Sequence, residues 1–241
     1  MDAQQIISII IFVVTMAAIM TEKVHRALAA VAGATLLLVC QILDVESLAS
    51  YIDFNTVGIL IGMMLFVSVV KISGLFEYIA IKAAKLSKGK PWIIMILFFI
   101  ITAVLSAFLD NVTTVLLVGP MTIAVTEMLG LNPVPFLITQ ILASNIGGTA
   151  TLIGDPPNIM IGSAAGLSFN DFIVNTGVPA VIIGILTILC FYFIYGRKLH
   201  VTPEKMAAVM ELDENKAIKD KVLLIQSVVV MICVVVAFML H

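Results

Sequence analysis

The chain alternates long apolar runs with short polar interruptions. Charge-free stretches fall at roughly 3–21, 27–43, 54–70, 177–196 and 222–240. Each approaches the ~20 apolar residues needed to cross a bilayer, so each reads as a transmembrane helix. The pattern changes between 73 and 87, where Leu75, Phe76, Ile79 and Leu86 alternate with Glu77, Lys82 and Lys85. That stretch is amphipathic and too polar to span. It suits a helix lying flat on the membrane surface or an extension of the third span. Residues 91–170 hold more apolar material with two interruptions. Pro91 to Leu109 and Val112 to Glu127 are apolar arms around Asp110-Asn111, the pattern of a re-entrant hairpin over about 91–129 or of two complete spans. A broken helix is expected over about 133–166, interrupted at Gly147-Gly148 and Pro156-Pro157, pairs that each oppose a continuous helix. Residues 168–175 then form a surface segment before the span at 177–196.

Composition turns this pattern into a class. Hydrophobic residues make up 61% and charged residues 12% of the chain, with mean hydropathy +1.18. A soluble domain carries about 25% charged residues. The fold class is therefore all-α, a polytopic membrane protein whose first partner is the lipid bilayer. No basic surface suited to nucleic acid is present. Cys40, Cys190 and Cys233 lie far apart in apolar runs and read as packing residues, without disulfide or metal-ligand spacing. His25, His200 and His241 lie near helix ends and share no motif. The first apolar run follows Asp2 and precedes Glu22-Lys23, so it reads as a retained helix and not as a cleaved signal.

Charge sets the expected orientation. Lys and Arg cluster at Lys23 and Arg26, at 71–90, and at 197–221, whereas the only charged residues in 44–53 are Asp44, Glu46 and Asp53. By the positive-inside rule the basic loops face the cytoplasm of an inner (cytoplasmic) membrane and the N-terminus lies outside. Residues 197–220 form a cytoplasmic linker, with a helix starting at Thr202-Pro203.

The two breaks carry the candidate chemistry. Between Lys90 and Glu127 the only charged side chain is Asp110, and between Glu127 and Asp171 it is Asp155. A carboxylate at bilayer depth costs at least about 2.5 kcal/mol. Unwound backbone there must be buried in protein or line a cavity. Helix ends expose carbonyls that attract cations and N–H groups that attract anions. Asn111, Thr113, Thr114, Asn145, Thr149, Thr151 and Asn158 add neutral oxygens suited to Na⁺, with Asp110, Asn111, Asn145 and Thr149 as the candidate Na⁺ ligands. Asp110 and Asp155 also suit plain helix capping, which is compatible with ion binding.

At these residues the chain resembles a known group. "FLDNVTTVLLVGP" (108–120) and "SNIGGTATLIGDPPNIMIG" (144–162) are similar to the two signature segments of the ion-transporter superfamily. The branch is that of arsenite permeases, NhaD-type Na⁺/H⁺ antiporters and the melanosomal P protein, with the citrate and dicarboxylate symporters more distant. The similarity covers roughly 5–196 and matches an N-terminal half. It implies an elevator-type carrier of two inverted repeats, each with a re-entrant hairpin and a broken helix. Where the symporters have Ser-Asn-Thr in the hairpin, this chain has Asp110-Asn111-Val112 followed by Thr113-Thr114. The aspartate disfavours a dicarboxylate and favours H⁺ or Na⁺ coupling or a neutral substrate. Asn145, Gly147, Gly148, Thr149, Gly154, Asp155, Pro156, Pro157 and Asn158 match the second segment.

On this reading residues 1–196 form the first repeat, and 221–241 resemble only the opening helix of a second. No second Asp-Asn-Val-Thr or Gly-Asp-Pro-Pro segment occurs. A missing half, in cis or as a separate chain, is then an expected partner, and a homodimer is a family expectation. The expected function is secondary ion transport, with H⁺ or Na⁺ as coupling ion, a small inorganic or organic ion as substrate, and no other cofactor. The rivals are an anion channel, a Na⁺-coupled di- or tricarboxylate symporter, and an inactive half-transporter. No hydrolase motif suggests an enzyme.

Overall fold

The computed structural model describes residues 2–240, with Ser47 and Leu48 described by their backbone alone. Among the described residues every regular element is helical. The chain divides into two compact units, 1–54 and 55–241.

In the first unit α1 (Ala3–Met20) begins at a capping box. Asp2 accepts from the Ala3 N–H, and the Gln5 side chain returns a bond to the Asp2 N–H. Helix α2 (Arg26–Val39) packs against α1 through small residues. Ala29 and Gly33 are buried, and a methyl on Gly33 would overlap the Thr15 hydroxyl. Helix α2 stops short of the expected edge at 43. Cys40 closes the last turn and Gln41 adopts φ 54°, so the apolar Ile42-Leu43 lies beyond the helix. Fourteen residues rise about 21 Å, less than the ~30 Å hydrocarbon core. A one-turn helix, α3 (Val45–Leu48), follows.

The second unit holds α4 (Phe54–Ser73), α5 (Leu75–Leu86), α6 (Pro91–Ser106), α7 (Asn111–Leu129), α8 (Val134–Thr149), α9 (Pro156–Ala165), α10 (Phe169–Phe172), α11 (Val178–Ile194), α12 (Pro203–Met210) and α13 (Lys221–Leu240). Five helices among the described residues are long and apolar enough to cross a membrane: 3–20, 54–73, 111–129, 169–198 and 221–240. Their surfaces are apolar and exposed, Phe54 at 65% and Val181 at 63% for example. That is the surface a lipid solvent accepts.

Several elements depart from the sequence pattern. Gly74, at φ 83°, separates α5 from α4, so α5 is no extension of the third span. Its apolar face packs on protein, with Ala80, Ala83 and Ala84 joining Ile94, Phe98, Leu129, Phe136 and Val209 in one buried cluster. Residues 169–198 form one continuous helical stretch, joined by a π-helical turn at Ile173–Gly177, where a separate surface segment was expected. The linker after α11 is docked. Val209 of α12 is fully buried, and Lys219 N–H bonds to Ser73 O at 3.1 Å. Gly74 and Gly89 have left-handed φ, and a methyl on either would overlap linker backbone at Ala217 or Met206. The three cysteines are free and exposed on the apolar surface, without disulfide pairing. His241 lies outside the described residues.

A second buried cluster joins α4, α5 and α7 through Val67, Val70, Leu75, Phe76, Leu109 and Leu117, with Leu224 and Val228 of α13 against it. Between them the two clusters hold both arms of the Asp110 turn.

Candidate functional site

The site is built by α6, α7 and α8. Ser106 of α6 donates to Ser144 O of α8 at 2.7 Å. A methyl on Gly147 would overlap Ala103 O, so these two helices touch backbone to backbone. Ala103 lies against Gly147 and, one turn on, Ala107 O accepts from Thr151 just past α8, so the two helices run parallel. Helix α7 runs antiparallel to α8, with Gly119 beside Leu137, Gln140 donating to the Thr122 hydroxyl, and Asn111 beside Asn145.

Helix α6 ends at Ser106 and α7 starts at Asn111, with Asp110 between them in extended conformation. The Asp110 carboxylate accepts from the Thr113 N–H at 2.8 Å, so it caps α7 as its position suggested. Thr114 N–H bonds to Asp110 O. Among the described residues the N–H groups of Asn111 and Val112 have no protein acceptor, which leaves the positive end of α7 open. The Thr114 hydroxyl is buried without a partner.

The second break sits beside the first. Asn111 Nδ2 donates to Asn145 Oδ1 at 3.1 Å. Helix α8 runs through Gly147-Gly148 and ends at Thr149, two residues beyond the expected interruption. Both glycines are buried. They act by letting backbones approach, as small residues do between membrane helices. Thr149 donates to Asn145 O at 2.8 Å. Thr151 donates to Ala107 O and accepts from the Gly154 N–H, tying the irregular segment to the Asp110 turn. Asn158 Nδ2 donates to Gly148 O at 3.1 Å and Thr151 O at 2.9 Å, covering carbonyls left by the end of α8.

Helix α9 opens differently from the expected anion-attracting end. Pro156 and Pro157 have no N–H, and the N–H groups of Asn158 and Ile159 bond to Asp155 O. The start of α9 therefore offers no free backbone donor there. Asp155 occupies the N-cap position, but its side chain makes no capping bond. Asp155 lies within electrostatic reach of Asp110.

The oxygens available for a cation are the second carboxylate oxygen of Asp110, the Asn111 and Asn145 amide oxygens and the Thr149 hydroxyl. These are hard ligands that fit Na⁺ and not a soft transition metal. Among the described residues no group of three His, Cys, Asp or Glu side chains gathers to hold a metal. Thr113 enters through its backbone N–H, and Thr151 through its tie to Ala107. The sequence reading missed Ala103, Ser106 and Ala107. Their signal was the small-residue spacing Ala103-x-x-x-Ala107, facing Ser144-x-x-x-Gly148.

A family model described as "Citrate transporter" (CitMHS) matches residues 16–241. The chain belongs to this transporter family. Proteins similar to it include the "46 kDa membrane protein" of Mycobacterium leprae, 42% identical over 240 residues, covering 98% of this chain and 56% of the relative. An "uncharacterized transporter" of Mycobacterium tuberculosis is 40% identical over 240 residues, with the same coverage of 98% and 56%. The "P protein" of Homo sapiens is 44% identical over 200 residues, 76% of this chain and 23% of the relative. The chain thus spans about half the length of the mycobacterial relatives it matches. The resemblance carried by the Asp110 and Asp155 segments, to the ion-transporter superfamily and the P protein, agrees with this membership.

Proposed function

We propose that the chain forms the ion-binding repeat of a secondary active transporter of the anion-permease and Na⁺/H⁺ antiporter type. The observation that carries this reading is the junction of two chain breaks through Asn111 and Asn145, with Asp110 next in the chain to Asn111 and Asp155 within electrostatic reach of Asp110. Two broken segments meeting among polar side chains are the arrangement secondary transporters use for substrate and coupling ion. On this reading Asp110, Asn111, Thr113 and Thr114 form one side of the site, and Asn145, Thr149, Asp155 and Asn158 the other. Gly147, Gly148 and Thr151 hold the two sides in register. Asp110 carries the coupling H⁺ or helps to hold Na⁺ with Asn111, Asn145 and Thr149. The segment 91–129 acts as a re-entrant hairpin of one repeat in an inverted-repeat elevator, in an inner membrane with the basic loops cytoplasmic.

The family description motivates a second reading, a citrate-like carboxylate as substrate. The open N–H groups of Asn111 and Val112 support a carboxylate contact at α7. The two aspartates repel a bare polyanion, so such a substrate must arrive with its charge partly neutralised by protons or cations.

The test is flux through the complete carrier in proteoliposomes, with arsenite, Na⁺ and citrate offered separately. Asp110→Asn is expected to abolish dependence on the H⁺ or Na⁺ gradient. Full gradient-driven flux in that variant would remove Asp110 as the coupling group. Unitary currents, in place of slow saturable exchange, would replace the carrier reading with a channel.

A further inference from the structure

We propose that the corner where α6 begins and α11 ends binds the phosphate of an anionic phospholipid, with Arg197 as the anchoring cation. The Arg197 guanidinium lies over two rings, 5.9 Å from the Tyr192 centroid and 5.4 Å from that of Phe193. Trp92 of α6 packs on Tyr192 with centroids 5.2 Å apart. Contact with both rings restrains the guanidinium before a ligand arrives, which suits recognition of phosphate oxygens by its fork of donors. Lys198 follows directly, and Lys90 is the N-cap residue of the helix that carries Trp92.

This positive charge is left for an external partner. The ion pairs among the described residues that are established here are Arg26–Glu22 and Lys85–Glu214, and neither involves Arg197, Lys198 or Lys90. Residues 91–109 and 172–196 contain no acidic side chain. Phe193 is 64% exposed and Tyr192 38%, at the end of a long apolar helix. Amphipathic rings beside basic heads mark the level of lipid headgroups. Trp92 also lines a small apolar crevice with Ile96, Phe99, Thr187 and Ile188. A free phosphate would use the cations alone. Ile185, Leu189 and Phe193, exposed on α11, give an acyl chain an apolar surface beside the headgroup, which favours a lipid over a soluble anion.

Trp92 is the only tryptophan in the chain and reports from the site itself. The full 241-residue chain is reconstituted in mixed phosphatidylcholine and phosphatidylglycerol vesicles, with bromine carried on the acyl chains of one lipid at a time. Brominated phosphatidylglycerol is expected to quench Trp92 more strongly than brominated phosphatidylcholine. Each basic residue near an anionic surface contributes about fivefold in affinity, so Arg197→Gln should lower the preference by about that factor. Lys198→Gln, which leaves the ring stack intact, should lower it in the same direction, and Lys71→Gln should leave it unchanged. Equal quenching by the two lipids, or a preference that survives Arg197→Gln, would overturn the proposal. So would loss of the preference on adding millimolar inorganic phosphate at constant ionic strength, which would assign the corner to a soluble anion.

Discussion

The side-chain amide of Asn111 donates to the side-chain oxygen of Asn145 across 3.1 Å, so the turn between α6 and α7 and the end of α8 are held by one amide pair. Both residues border breaks in the helical chain. Their bond sets the separation of the two sides of the site.

Removing either partner should loosen that separation. Asn111→Ala or Asn145→Ala is expected to cost about 1 kcal/mol of stability, the net worth of one hydrogen bond. Because the two residues share the bond, the double variant should cost less than the sum of the singles. Thermal unfolding of all four proteins in detergent measures this. Strict additivity would mean the amides act independently.

Gly147 should not tolerate a side chain. A methyl there overlaps Ala103 O, and relief requires α6 and α8 to separate. Overpacking of this kind costs about 1–3 kcal/mol, so Gly147→Ala should lower the unfolding temperature clearly. Gly58 and Gly62 of α4 have open space at the same position. Gly58→Ala should be neutral or slightly stabilising, by up to about 1 kcal/mol through helix propensity. Equal effects at Gly147 and Gly58 would contradict the close approach of α6 to α8.

Thr151 bonds both to Ala107 O and to the Gly154 N–H from a buried position. Thr151→Val keeps the shape and removes both bonds, leaving buried polar groups unpaired at about 1–3 kcal/mol. Thr151→Ser should restore most of the loss. Amide hydrogen exchange at Gly154 reads the effect locally, and protection unchanged in the valine variant would place the tie elsewhere.

How much of this was legible in the sequence depends on the range of the forces involved. The apolar runs 3–21, 54–70 and 222–240 correspond closely to helices 3–20, 54–73 and 221–240, because transfer of apolar side chains is a local quantity. The break at Asp110 and the restart at Pro156 were equally visible, since proline and a capping aspartate act within one turn. Gly147-Gly148 was misread because glycine serves a kink and a close contact alike, and only the position of Ala103 distinguishes them. The end of α2 at Val39 was hidden by apolar residues that continue past it. The docking of Val209 among α5, α6, α7 and α8 is a contact between distant residues, and no local pattern announces it.

The docked linker should respond to acid. The hydrogen bond from Lys85 holds the Glu214 carboxyl below its ordinary value of 4.5. A carboxyl with a depressed value in the folded state stabilises above its unfolded value and loses that contribution as pH falls through the folded one. Residues 199–220 should therefore gain protease sensitivity as pH drops below 4.5. Lys85→Gln should remove this dependence and raise sensitivity at neutral pH. A profile identical in the two proteins would show that the ion pair does not hold the segment.

The π-helical turn at Ile173–Gly177 has a consequence for reading α10 and α11 together. A π turn accommodates one more residue than an α turn, which rotates everything beyond it by about 100°. A helical wheel drawn in a single phase from Phe169 to Ile194 therefore assigns the wrong flank to one half. Phe169 and Phe172 face inward on one phase, and Ala180, Gly184 and Phe191 on another. Deleting one residue within 173–177 would restore a uniform helix and turn one of these two buried sets toward lipid, a larger disturbance than most single substitutions in the same stretch.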